Sequence, residues 1–219
     1  MKLGQRIYGM ADWSEKDGRV SDAFNDWRFV EADQRSFLRL GLEFSRERYA
    51  RIWKEAGEEP WYDDGPEQLD VFEDRVDGLH EADFEWMHLA GVLREAVTGF
   101  EVYLEKAREE VLCHPGRPTE ISERSPHWHI LVDFFAKLGA EVNSEKVEAV
   151  RTLRHFLAHR RGELRTAEQR EKFAPSDPRW ALNAELSESQ VLRDMDVLSA
   201  CVRVCDARVY SCTWGNSLP

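Results

Sequence analysis

Residues 81–112 read EADFEWMHLAGVLREAVTGFEVYLEKAREEVL. There is no proline in the stretch, and Trp86, Leu89, Val92, Leu93, Val97, Phe100, Tyr103, Leu104 and Val111 recur at three- and four-residue steps. That spacing predicts one long helix with a broad apolar stripe. Phe84 and Met87 fall off the stripe, so the first turn is expected to pack differently or fray. Gly91 and Gly99 stand eight residues apart, near one face, where they fill a packing role or admit a close neighbour. A stripe this wide on a helix this long has to be buried by other helices, and the rest of the chain supplies them.

Upstream, Gly78 is the break between this helix and a shorter one that opens at Pro66 with acidic residues behind it. GEEPWYDDGPE (57–67) separates that pair from an amphipathic helix over about 31–56, carrying Phe37, Leu38, Leu40, Leu42, Phe44, Tyr49, Ile52 and Trp53. The first thirty residues, with Trp13 and Trp27 among Gly, Asp and Ser, lack clean periodicity and read as a short hairpin or an extended arm. Downstream, HPGRPTEISERSP (114–126) is a loop. His127–Leu138 is a compact aromatic-aliphatic helix ended by Gly139. Asn143 or Ser144 caps the next helix, which runs to about Arg161 before Gly162. A charged stretch follows to Pro178. Trp180–Leu186 reads as a short strand or extended piece, and Ser187 or Ser189 caps a last helix that carries Val191, Leu192, Met195, Leu198, Val202, Val204, Val209 and Tyr210. The expected fold is all-α, a bundle of four to five main helices with a short extended segment before the last. Its division is an N-terminal extension over 1–65, arm plus helix packed on the body, and a helical domain over 66–219.

In 219 residues, 42% are hydrophobic, enough to build a core. The net charge of -12, the pI near 5.1 and the mean hydropathy of -0.59 describe an acidic chain that is not a general nucleic-acid binder. No apolar run approaches the ~20 residues of a membrane span. The charged N-terminus has no secretory leader core, so a cytoplasmic protein without a membrane partner is expected. Cys113, Cys201, Cys205 and Cys212 form neither a dense disulfide framework nor a zinc spacing, and are expected to be buried free thiols. Nothing calls for a cofactor.

Chemistry concentrates in VEAVRTLRHFLAHRRGELR (147–165). On a wheel advancing ~100° per residue, Ala149, Val150, Leu153, Phe156, Leu157 and Leu164 share an apolar sector, opposite Arg151, Arg154, His155, Ala158 and His159. From Arg151 to Lys172 seven basic residues stand against three acids, a local +4 inside a chain of -12. A histidine can take a proton from a ribose 2′-hydroxyl and return one to the leaving oxygen. An arginine can hold the scissile phosphate. Because RNA carries its own nucleophile, no metal is required. Arg154 and His159 lie ~140° apart on an ideal helix, so two copies of the helix across a twofold axis are expected to complete one cleft.

Arg154-His155-Phe156-Leu157-Ala158-His159 resembles the signature of the HEPN domain superfamily: an arginine, a polar residue, and a histidine after four to six intervening positions, on the third main helix of a bundle. Four residues intervene here, and His155 occupies the polar slot that is often asparagine in the family. The order of elements also fits, and the resemblance spans roughly 66–214. It implies a metal-independent endoribonuclease that dimerises through the motif helix, with RNA as substrate. Arg154 would hold the phosphate, His159 would be the acid/base, and His155 would orient or assist. Arg151, Arg160 and Arg161 are the accompanying candidates for substrate binding. Many such proteins act in toxin–antitoxin or defence systems, which implies an antitoxin or other regulatory protein as partner, while some relatives only bind or dimerise.

Two other chemistries fit the same residues. The arginines can be a solvated face near a helix C-terminus, where cations favour the macrodipole. His155 and His159 also have the spacing of two metal ligands on one turn, with His127, His129, His114 or Cys113 to complete a site for a metal-dependent hydrolase. Flanking arginines weigh against a dication there.

Overall fold

In the computed structural model, residues 20–58, 67–113 and 126–213 are described. They form seven helices: α1 (Asp22–Gly57), α2 (Gln68–Arg75), α3 (Glu81–Cys113), α4 (Trp128–Lys137), α5 (Glu145–Arg160), α6 (Ala167–Phe173) and α7 (Glu188–Thr213). The fold is an all-α bundle. The loop expected over 114–126 falls almost wholly outside the described residues, as do Pro66 and the first nineteen residues.

The long stripe on α3 does what its spacing predicts. Leu89, Val92, Leu93, Val97, Phe100, Tyr103, Leu104 and Val111 are all buried. α1, α3 and α7 pack pairwise against one another; α5 packs on α3 and α7, α4 on α3, and α2 on α1. Of the two glycines on α3, only Gly99 marks a close approach. A Cβ there would sit 2.7 Å from Val30 Cγ1 of α1, whereas nothing lies within 4 Å of one at Gly91.

α1 begins nine residues earlier than its apolar periodicity suggests, so residues 22–30 are helix rather than hairpin or arm. The Ser21 hydroxyl caps it, accepting the Phe24 N–H at 3.0 Å. Trp27 is buried against Phe100 and Tyr103. One turn further on, the core-facing position is Glu31, and that carboxylate is what interrupts the hydrophobic pattern. Glu31 is paid for by partners: the Ser199 hydroxyl donates to it at 2.6 Å, and Arg35 donates through Nε at 3.1 Å and Nη2 at 2.8 Å. Arg35 reaches on to Asp196 of α7 at 2.7 Å. At the start of the helix, the Ser21 backbone N–H and hydroxyl both donate to the buried Asp206. Burial raises the Asp206 carboxyl above its ordinary value, and the two bonds from Ser21 oppose the rise.

The charged stretch up to Pro178 contains a helix, α6, that the sequence pattern does not announce. Its N-terminus is a capping box: the Gln169 N–H bonds the Thr166 hydroxyl at 3.2 Å, and the Gln169 amide oxygen accepts the Thr166 N–H at 3.2 Å. The expected extended piece before the last helix amounts, among the described residues, to a single antiparallel bridge between Glu163 and Asn183. α7 is capped at Ser187, whose hydroxyl accepts the Gln190 N–H at 3.2 Å. Cys201 and Cys205 are buried as expected of packing thiols, but Cys113 is exposed. Among the described residues, no helix is long and apolar enough to cross a membrane.

Candidate functional site

Helix α5 carries the site. The Ser144 hydroxyl accepts the Val147 N–H at 3.5 Å to open it, deciding between the two caps that the sequence offers. Val147, Val150, Leu153 and Leu157 dock it on the core. The inner face is narrower than the wheel suggests: Ala149 is exposed, and Phe156 is half-buried with its ring 4.7 Å from that of Phe173 on α6.

The helix ends in a built closure. Arg161 is left-handed (φ 50°), and the Gly162 N–H bonds the Phe156 carbonyl at 3.2 Å. Gly162 is left-handed too (φ 75°), and a Cβ there would lie 2.7 Å from the Trp86 ring. Trp86 in turn donates from Nε1 to the Ala184 carbonyl at 2.8 Å. Two further bonds, Leu164 N–H to the Leu182 carbonyl at 2.8 Å and Ala184 N–H to the Gly162 carbonyl at 2.9 Å, tie the turn after α5 to residues 182–184. The start of α3, the end of α5 and the connection into α7 are thereby one joint.

On the outer face, His155, Ala158, His159, Arg160 and Arg161 are all exposed. The imidazoles of His155 and His159 stand with centroids 4.4 Å apart and planes inclined by 43°. Exposed Ala158 beside them keeps the surface low. Arg160 lies over Phe156, its guanidinium carbon 5.6 Å from the ring centroid. Arg154 is half-buried. Its Nε is shielded from solvent without a hydrogen-bond partner, and among the described residues it has no ion pair. That is unusual for an arginine in such a position, since a buried guanidinium N–H is normally satisfied.

Arg151 goes the other way. Its guanidinium carbon sits 3.4 Å from the Trp128 ring centroid, it bonds Glu101 at 3.1 Å, and it reaches Glu148 at 3.4 Å. These contacts hold Arg151 to α3 and α4, so it is a packing residue and not a free anion ligand. Spacing on one helix could not show this, because Trp128 and Glu101 come from other helices. Arg165 is likewise engaged, bonding Glu163 at 2.9 Å; that bond holds the Glu163 carboxyl below its ordinary value. Thus the C-terminal end of α5 leaves His155, His159, Arg160 and Arg161 exposed, the two imidazoles in contact and Arg160 turned to Phe156, whereas Arg154 is half-buried and Arg151 is withdrawn onto α3 and α4.

No family model, curated protein or solved structure matches the chain. The chemistry of the face therefore stands on its own residues. Among the described residues, no group of three or more His, Cys, Asp or Glu is placed to hold a metal ion. His127 and His129 stack on each other, with centroids 5.8 Å apart. Paired exposed imidazoles beside unpaired guanidinium groups can exchange protons with a bound hydroxyl and hold a phosphodiester.

Proposed function

We propose that the protein is a metal-independent endoribonuclease of the HEPN type, in which Arg154 and His159 cleave RNA through its own 2′-hydroxyl. The observation that carries the proposal is the contact between the His155 and His159 rings, centroids 4.4 Å apart, on the helix that also carries Arg154, a guanidinium without an ion-pair partner among the described residues. In this mechanism His159 takes the 2′-hydroxyl proton as the oxygen attacks phosphorus. The P–O5′ bond breaks, and a protonated imidazole returns a proton to the 5′ oxygen. Arg154 offsets the charge on the non-bridging oxygens. His155, in contact with the His159 ring, orients it. Arg160 and Arg161 hold flanking phosphates. Because Arg154 and His159 diverge around the helix, two α5 helices face each other in a homodimer, each contributing to a shared cleft. A toxin or defence role against RNA in the cytoplasm, held in check by an antitoxin or other regulatory protein, belongs to the same proposal.

The test is end-group analysis of RNA cut by wild type beside Arg154→Ala and His159→Ala. Products are expected to carry a 2′,3′-cyclic phosphate and a 5′-hydroxyl, cleavage to persist in excess EDTA, and each substitution to cost at least the ~10²-fold of a lost acid/base or phosphate-binding group. Equal cleavage by all three proteins rejects the site. Products with 5′-phosphates, together with full inhibition by EDTA, turn the histidine pair into metal ligands.

A further inference from the structure

Trp180 and Leu182 are the two most exposed large apolar side chains among the described residues, at 72% and 76% of their full accessibility. A single exposed tryptophan on a surface is unremarkable, but this one is held in a defined place. The Trp180 and Ala181 N–H groups both return to the Asp177 carbonyl, at 3.4 and 3.1 Å, which folds residues 177–181 into a tight turn. Two residues on, Leu182 accepts the Leu164 N–H, and Ala184 is bonded both to Gly162 and to the Trp86 indole. The segment is therefore pinned to the turn that directly follows Arg160 and Arg161. Trp180 is two residues from the first of these bonds, so its Cα lies within about 7 Å of Leu182. The same joint that ends α5 thus presents the indole.

Its electrostatic setting is the second observation. Arg179 lies over the Trp180 ring with its guanidinium carbon 5.2 Å from the centroid, and Trp180 keeps its 72% exposure even so. Arg160, Arg161 and Arg179 are without an ion pair among the described residues, on a chain whose net charge is -12. An exposed indole with one guanidinium at its ring, on a segment tied to the turn that follows two more, suits a flexible polyanion that carries flat rings. A duplex keeps its rings stacked inside and has none to offer, whereas every base of a single strand has a free face.

We propose that Trp180 is a stacking platform for a base of single-stranded RNA, with Arg179, Arg160 and Arg161 following the backbone from the platform toward the His155–His159 pair. The substrate class of the proposed nuclease, on which this inference rests, is then unpaired RNA, and duplex stems are poor ligands.

The test separates binding from cleavage. The probe is an unstructured ten-nucleotide RNA, 2′-O-methylated throughout so that the proposed chemistry cannot cut it, and its binding is read by fluorescence anisotropy. Trp180→Ala is expected to weaken binding by about five- to a hundredfold, the range for loss of one base–aromatic stack. Trp180→Phe is expected to restore most of the affinity. A duplex of the same sequence is expected to bind more weakly and to be indifferent to Trp180→Ala. The side chain is exposed, so the variant folds, and an unchanged melting temperature checks this. Equal affinity of wild type and Trp180→Ala for the single strand overturns the platform even if RNA cleavage by Arg154 and His159 stands. A Trp180-dependent affinity for the single strand sustains the platform even if no RNA is ever cut.

Discussion

At the scale of single residues, the burial of charge separates what serves the fold from what is left for chemistry. Glu31 and Asp206 are buried carboxylates with close donors. Asp194 on α7 is different: burial pushes its carboxyl up to about 6, and Arg193 only partly opposes the shift. A carboxyl whose value is raised in the folded chain binds more protons folded than unfolded, so stability falls as pH rises from about 4 through about 6, and the cost is complete above that. Asp194→Asn is therefore expected to raise the melting temperature at pH 7 and to lose that advantage near pH 4. A variant that is no more stable than wild type at pH 7 would show that the carboxylate is better solvated than its surroundings suggest. The sequence could not have told these acids apart. It does show which residues crowd the 154–161 segment, because histidines and arginines on one helix face need only the 3.6-residue period to be recognised. The withdrawal of Arg151 onto Trp128 and Glu101 depends on partners fifty residues away in one case and on a neighbouring helix in the other.

Among the elements, the joint after α5 sets how accurately the motif face is held. Gly162 needs both its positive φ and its lack of a Cβ, since Trp86 fills the space. Gly78 is also left-handed, at φ 71°, but nothing lies within 4 Å of its missing side chain. Comparing the two isolates packing from backbone strain. Gly162→Ala is expected to cost about 1–3 kcal/mol in urea unfolding, and Gly78→Ala only the smaller backbone part. Equal losses would mean that the Trp86 ring simply moves aside. The elements legible in the sequence were those with long uninterrupted periodicity, α3, α5 and α7, and those with clear stops, such as α4 before Gly139. α1 was legible only in part, because Glu31 occupies a core position that an apolar residue would ordinarily mark. α6 escapes a reading by periodicity although Thr166 and Gln169 spell a capping box, because seven residues are too few to establish a period.

For the whole molecule, the proposed mechanism requires a second copy. The imidazoles are exposed while Arg154 is half-buried at the edge of the same face, so one chain does not surround a phosphate. Light scattering at micromolar concentration is expected to give a dimer, burying the ~1,200 Å² or more of a stable pair. A strict monomer that still cleaves RNA would remove the twofold cleft from the mechanism. The all-α class was readable from the chain because it follows from local periodicity, whereas the mutual packing of α1, α3 and α7 depends on contacts that no local pattern records. One such contact has a bearing on time. Ser21 and Asp206 are 185 residues apart, so the residue that caps the first described helix is itself held by the last, α7. At ordinary rates of synthesis, roughly ten to forty seconds separate the emergence of the two. In the folded chain α1 packs on both α3 and α7, so an α1–α3 pair formed in that interval would leave the side of α1 that meets α7 in water. Were α1 and α3 to pair first, Glu31 would have only Arg35 on its own helix and water for partners, and the carboxylate that Ser199 later satisfies would keep that pair from presenting a wholly apolar flank.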